Sequence, residues 1–89
     1  MTNHPEPGEK IFKKGEVIYQ QGDYVTAIYD VLWGQVALYV DYHKPTQRLL
    51  NEVEADGFFG IVGFLESRPQ NATAVALEKT ACSIITHEN

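Results

Sequence analysis

Residues 27–42 alternate with a period of two, and the alternation is interrupted once. Ala27, Tyr29, Val31 and Trp33 fall on one side, with Ile28, Asp30 and Leu32 on the other. After Gly34 the pattern resumes, Val36, Leu38, Val40 and Tyr42 against Gln35, Ala37, Tyr39 and Asp41. Successive side chains of a strand point to opposite faces, whereas a helix repeats every 3.6 residues, so this stretch reads as two strands. Glycine tolerates a positive φ without steric cost, and Gly34 is therefore either a tight turn between them or a bend. A strand with one apolar face must lay it on something, and 89 residues leave room for a single core.

The remaining segments are of the same kind. Ile11-Phe12 and Val17–Tyr19 read as short strands around a Lys13–Glu16 turn, and Gly22-Asp23 breaks the pattern. A polar turn at His43–Thr46 followed by a strand-like 48–53 predicts a hairpin with 36–42. Ala72–Leu77 and Ala81–Thr86 alternate again about the charged turn Glu78-Lys79. Between them lies an apolar run, Phe58–Leu65, that holds Gly60 and Gly63. Each glycine costs a helix about 1 kcal/mol relative to alanine, so only one short helical turn is expected before Ser67-Arg68-Pro69 ends it. Short strands with turns every ~8–12 residues predict a mainly β fold, an antiparallel jelly-roll or double-stranded β-helix barrel. Residues 1–10, with His4, Pro5, Pro7 and Gly8, read as a flexible lead-in, and residues 11–89 as the domain.

Composition removes several functions. Twelve acidic residues against seven Lys and Arg give a formal charge of −5, the wrong sign for gripping a phosphate backbone, so no nucleic acid is expected on this domain. Tyr24, Tyr29, Trp33, Tyr39 and Tyr42 are accordingly read as core or edge aromatics rather than a base-stacking platform. The lone Cys82 allows no intrachain disulfide and no cysteine-based zinc site, which fits a reducing, cytoplasmic setting. Without a targeting segment or an 18-residue apolar window, no membrane partner is expected. His4, His43 and His87 fall in the lead-in, a turn and the tail, with neither His-x-His nor Glu-x-x-His spacing. No metal, no cofactor and no catalytic residue are therefore expected, and Cys82 is read as a packed thiol.

The segment with most chemical content is Asp56–Leu77, DGFFGIVGFLESRPQNATAVAL. A glycine-containing loop that enters a short helix presents backbone N–H groups, and Gly60 and Gly63 carry no side chain to block close approach. Phe59-Gly60, Leu65, Pro69, Ala72-Thr73 and Ala76 match, without a gap, a pattern of roughly F-G-E-x-A-L-L-x-x-x-P-R-x-A-T-V-x-A. That pattern is the phosphate-binding cassette of the cyclic nucleotide-binding domains, the catabolite activator-like regulatory modules, which this chain resembles. Lys14–Tyr19 with Gln21-Gly22-Asp23 is similar to the family's K-G-E-x-I-x-x-x-G-D opening, and Tyr29–Val36 to its Y-x-I-x-x-G-x-V. The resemblance covers nearly the whole chain from Phe12 onward, and Glu78–Thr86 looks like the strand that closes the barrel.

The resemblance implies a non-catalytic regulatory or sensor domain and places the candidate ligand-contacting residues at Gly60, Ile61, Val62, Gln70, Asn71 and Ala72. It also implies a divergent cassette. In binding members a glutamate takes the ribose 2′-hydroxyl and an arginine pairs with the cyclic phosphate; those places hold Ile61 and Gln70, and Asp56-Gly57 reverses the family's Gly-Asp. Charge-assisted hydrogen bonds contribute about 1.5–3 kcal/mol each, so both losses together remove about 10²–10⁴ in affinity. Arg68, across Pro69, points elsewhere on an extended segment. The pocket then either keeps a weak affinity for a small anionic or nucleotide-like ligand or is filled by Ile61, Phe64 and Leu77. Binding members follow the barrel with lid helices and, in transcription regulators, a DNA-reading helix-turn-helix. This sequence stops at Asn89, so a fragment of a parent regulator or a stand-alone barrel is expected, its open apolar end favouring a homodimer or other partner. Beside this reading stand a weak genuine cyclic nucleotide binder, a cupin-like metalloenzyme and a ligand-free structural dimer.

Overall fold

The computed structural model describes residues 6–87. Eight strands and one helix follow in the order β1 (Glu9–Phe12), β2 (Val17–Tyr19), β3 (Ala27–Trp33), β4 (Gln35–Val40), β5 (Arg48–Glu54), β6 (Phe58–Phe59), α1 (Ile61–Glu66), β7 (Thr73–Ala76) and β8 (Thr80–Thr86). They form two four-stranded antiparallel sheets, β1-β8-β3-β6 and β2-β7-β4-β5. The fold is thus mainly β with one short helix, as the period-two patterning predicts. Strand β1 begins at Glu9, inside the stretch read as a flexible lead-in; Glu9 pairs with Ser83 and Ile84 N donates to Gly8 O (2.7 Å). Residues 1–5 of that lead-in lie outside the described residues.

The chain changes sheet at almost every connection, and Gly34 shows how. At φ 102° it is a bend rather than a hairpin turn: β3 stays in the first sheet and β4 enters the second. A side chain there would strike Thr80, whose Cα lies 2.6 Å from the position a Cβ would take. Thr80 is fully buried, and its Oγ1 accepts from Gln35 N (3.1 Å) while its hydroxyl donates to Glu78 O (2.8 Å). The first residue past the bend is therefore pinned to the first residue of β8. The expected hairpin does form, between β4 and β5, but β4 ends at Val40 because Asp41 and His43 adopt positive φ (55° and 66°).

One core lies between the sheets, drawing Phe12, Tyr29, Val31 and Cys82 from the first and Tyr19, Val36, Ala74 and Ala76 from the second. The tilted and stacked rings of Tyr19, Tyr29 and Phe59, with centroids 4.9–6.0 Å apart, form its aromatic centre. Such geometry adds about 0.5–1.5 kcal/mol per pair beyond area burial. Strand β7 is buried at all four residues, although its sequence alternates. It lies centrally between β2 and β4, and Ala74 and Ala76 face the core.

Candidate ligand-binding site

The cassette segment folds as strand, left-handed residue, helix. Gly60 (φ 82°) is the N-cap of α1, and a side chain there would come within 2.8 Å of Ala27 O. Ser67, at φ 54°, closes the helix with its N–H donating to Gly63 O (3.2 Å). The helix is only six residues long and has no side-chain cap, so packing rather than propensity holds it. Gly63 supplies that packing: a Cβ would run into the carbonyl of Val25 and approach Gln70 Nε2 to 2.6 Å.

Gln70, at the place where the resemblance expects an arginine, is only 3% exposed. Its Nε2 donates to Val25 O (3.1 Å) and to Gly60 O (3.3 Å). Its backbone is equally committed, since Gly22 N donates to Gln70 O (2.8 Å) and Gln70 N to Asp23 O (2.9 Å). One residue thus fastens the β2–β3 loop to the N-terminus of α1. Ile61, at the glutamate place, is the first helical residue and stands 44% exposed. Arg68 faces solvent, paired with Glu66 (2.8 Å). A surface pair of this kind contributes little, and Arg68 does not reach the site.

Beside these residues opens a cavity of about 350 Å³. Gly60, Ile61, Val62, Gln70 and Asn71 line one side of it, while Ala72, buried at the head of β7, does not. The opposite side is made by Tyr19, Leu38, Leu50, Asn51, Phe58 and Phe59, none of which is among the expected ligand-contacting residues. Leu50 is present for a local reason. The β4–β5 register shifts between Leu38↔Asn51 and Tyr39↔Leu49, leaving Leu50 as the unpaired residue of a bulge and free to turn out of the ladder. Burial raises the Tyr19 phenol well above its ordinary pKa, with Tyr29 beside it acting in the same direction, so that wall is uncharged. Phe64 and Leu77, expected as possible fillers, lie elsewhere. Phe64 stacks on His87 at 4.0 Å, with its carbonyl 2.8 Å from His87 Nε2, and Leu77 does not line the cavity.

A larger concavity of about 470 Å³ lies away from the cassette, among Gln20, Gln21, Asp41, Tyr42, His43 and Thr73. Two of its polar side chains are already paired within the protein. Thr73 Oγ1 accepts from Gln21 N (3.0 Å), and Gln21 Oε1 accepts from Asp41 N (2.9 Å), which ties the β4–β5 turn to β2 and β7. Among the described residues no three His, Cys, Asp or Glu come together as metal ligands, and no helix is long and apolar enough to cross a membrane. Cys82 is fully buried, its thiol pushed up to about 11 by burial first and Asp30 second. His4 lies outside the described residues.

Two antiparallel sheets thus present a glycine-capped helical turn beside a cavity, the architecture of a small β module. Residues 9–89 match the family model described as Cyclic nucleotide-binding domain, and the chain belongs to that family. It is 32% identical over 74 residues to a cGMP-dependent protein kinase of Plasmodium berghei (strain Anka), a match covering 83% of this chain and 8% of the kinase. It is 31% identical over 74 residues to a cAMP-dependent protein kinase regulatory subunit of Dictyostelium discoideum, covering 80% of this chain and 23% of the subunit. The chain therefore spans a small part of the length of these relatives. Among solved structures, the Thermus thermophilus catabolite activator protein shares a TM-score of 0.83 and 29% identity over 90% of this chain and 38% of its own. The structure described as cAMP bound PfPKA-R (141-441) has the same TM-score at 28% identity, over 90% of this chain and 28% of its own. The matched region is a non-catalytic domain of the regulatory, sensing type.

Proposed function

We propose that this chain is a regulatory module whose cassette does not take cAMP or cGMP through a ribose-binding carboxylate and a phosphate-binding guanidinium. The observation that carries this reading is Gln70: it is uncharged, and its amide nitrogen is spent on Val25 O and Gly60 O. Ile61 supports it, because a ribose hydroxyl set against an aliphatic side chain loses water without gaining a partner. The two sheets are read as the halves of a jelly-roll barrel, and the lone buried thiol suits the cytosol. Its signal is passed to a parent regulator or to a second copy; light scattering over a concentration series identifies the second copy by a rise in mass.

A ligand that binds only the folded state at 100 times its Kd adds about 2.7 kcal/mol of stability. Thermal unfolding with 100 μM cAMP or cGMP is therefore expected to leave Tm unchanged, and a saturable rise at micromolar nucleotide overturns the reading. A weak genuine nucleotide site is the second reading. It is favoured by the identity to relatives named as cGMP- and cAMP-dependent, and a shift that appears only at millimolar nucleotide would support it.

A further inference from the structure

None of the eleven residues around the 350 Å³ cavity carries a formal charge. The chain as a whole carries −5, so neither the near nor the far field favours an anion there. A charged ligand entering this cavity would give up hydration with no opposite charge to replace it. The walls are instead suited to rings. Tyr19 and Phe59 belong to the aromatic centre of the core, and Phe58, Leu50 and Ile61 stand at the mouth with 51%, 47% and 44% of their surface exposed. Three apolar side chains that far exposed around one opening leave uncovered the kind of surface that burial of an apolar partner stabilises. Side-chain polar character comes from neutral groups, the Tyr19 phenol and the amides of Asn51, Asn71 and Gln70. Ligand pockets run from about 300 to 1,000 Å³, which puts this one at the small end.

We infer that the cavity beside Gly60, Ile61 and Gln70 binds an uncharged, planar aromatic small molecule of about two rings. This rests on the reading above that the cassette has given up the cyclic phosphate. Phe58 supplies an exposed stacking face, the buried Tyr19 and Phe59 form the floor, Leu50 and Ile61 close over the ring edges, and the asparagine amides fix a neutral polar substituent.

The neutral fluorophore N-phenyl-1-naphthylamine is the probe for this. Titrated into the whole chain, it is expected to show a saturable, one-to-one rise in emission. Leu50→Glu and Ile61→Glu each put a carboxylate at the mouth and are expected to raise its Kd at least tenfold. Leu65→Glu, at a residue 68% exposed and outside the cavity, is expected to leave Kd unchanged. Far-ultraviolet circular dichroism confirms that each variant is folded, and having two mouth variants protects the test should one misfold. No saturable signal, or a signal that Leu65→Glu weakens as much as the mouth variants, overturns the inference and leaves the reading of the cassette standing. Displacement of the probe by micromolar cAMP overturns that reading and this inference with it.

Discussion

At Gln70, the amide bridging two carbonyls 35 residues apart in sequence makes the side chain part of the scaffold. Gln70→Ala strands Val25 O and leaves Gly60 O with only the long bond from Phe64 N (3.4 Å), and is expected to cost about 1–3 kcal/mol in urea denaturation. Ile61→Glu, at an exposed position, is expected to stay within about 0.5 kcal/mol of the parent protein. Combined with Gln70→Arg, it should raise cAMP affinity by about 10²–10⁴, measured by calorimetry. A folded double variant with no such gain would mean that the cassette is closed, not merely short of two contacts. Cys82 makes a pH prediction. Its folded pKa of about 11 lies above the ordinary 9.0, so the folded state holds its proton where the unfolded state releases it. The contribution is complete below pH 9 and is lost as pH climbs toward 11, about 2–3 kcal/mol in all. Urea midpoints measured from pH 8 to 11 should fall more steeply for the parent than for Cys82→Ala. The resemblance singles out Ile61 and Gln70, and both line one cavity. The hydrogen-bond partners of Gln70 could not be read from the sequence, because Val25 is 45 residues away and nothing local marks it.

Among the elements, the helix shows propensity and packing in direct opposition. Gly63→Ala improves intrinsic helix propensity by about 1 kcal/mol. The added methyl, however, meets the Val25 carbonyl and the Gln70 amide, and overpacking against fixed groups costs about 1–3 kcal/mol. The net effect is expected to be a lower Tm, the reverse of the usual surface substitution. Strand positions were legible because alternation is a property of each segment: β3 runs from Ala27 to Trp33 as the pattern predicts. The sheet to which each strand belongs is not such a property. Gly34 could have been a hairpin, and only its crowding against Thr80 explains the bend. Leu50 escaped notice for the same reason, since a bulge is defined by register with a partner strand.

Considered whole, the molecule has one core shared by both sheets, and denaturation followed by Trp33 fluorescence and by circular dichroism should give coincident transitions. Strands β1 and β8 are antiparallel neighbours, Glu9 opposite Ser83 and Phe12 opposite Thr80. The outward ends of both strands therefore lie on the same side of the pair. Tension applied through the two ends of the chain would load the β1–β8 hydrogen bonds one after another, as a zipper is opened, instead of all together in shear. Tension between the two ends thus opens the β1–β8 pair at lower force than shear along the same strands would need.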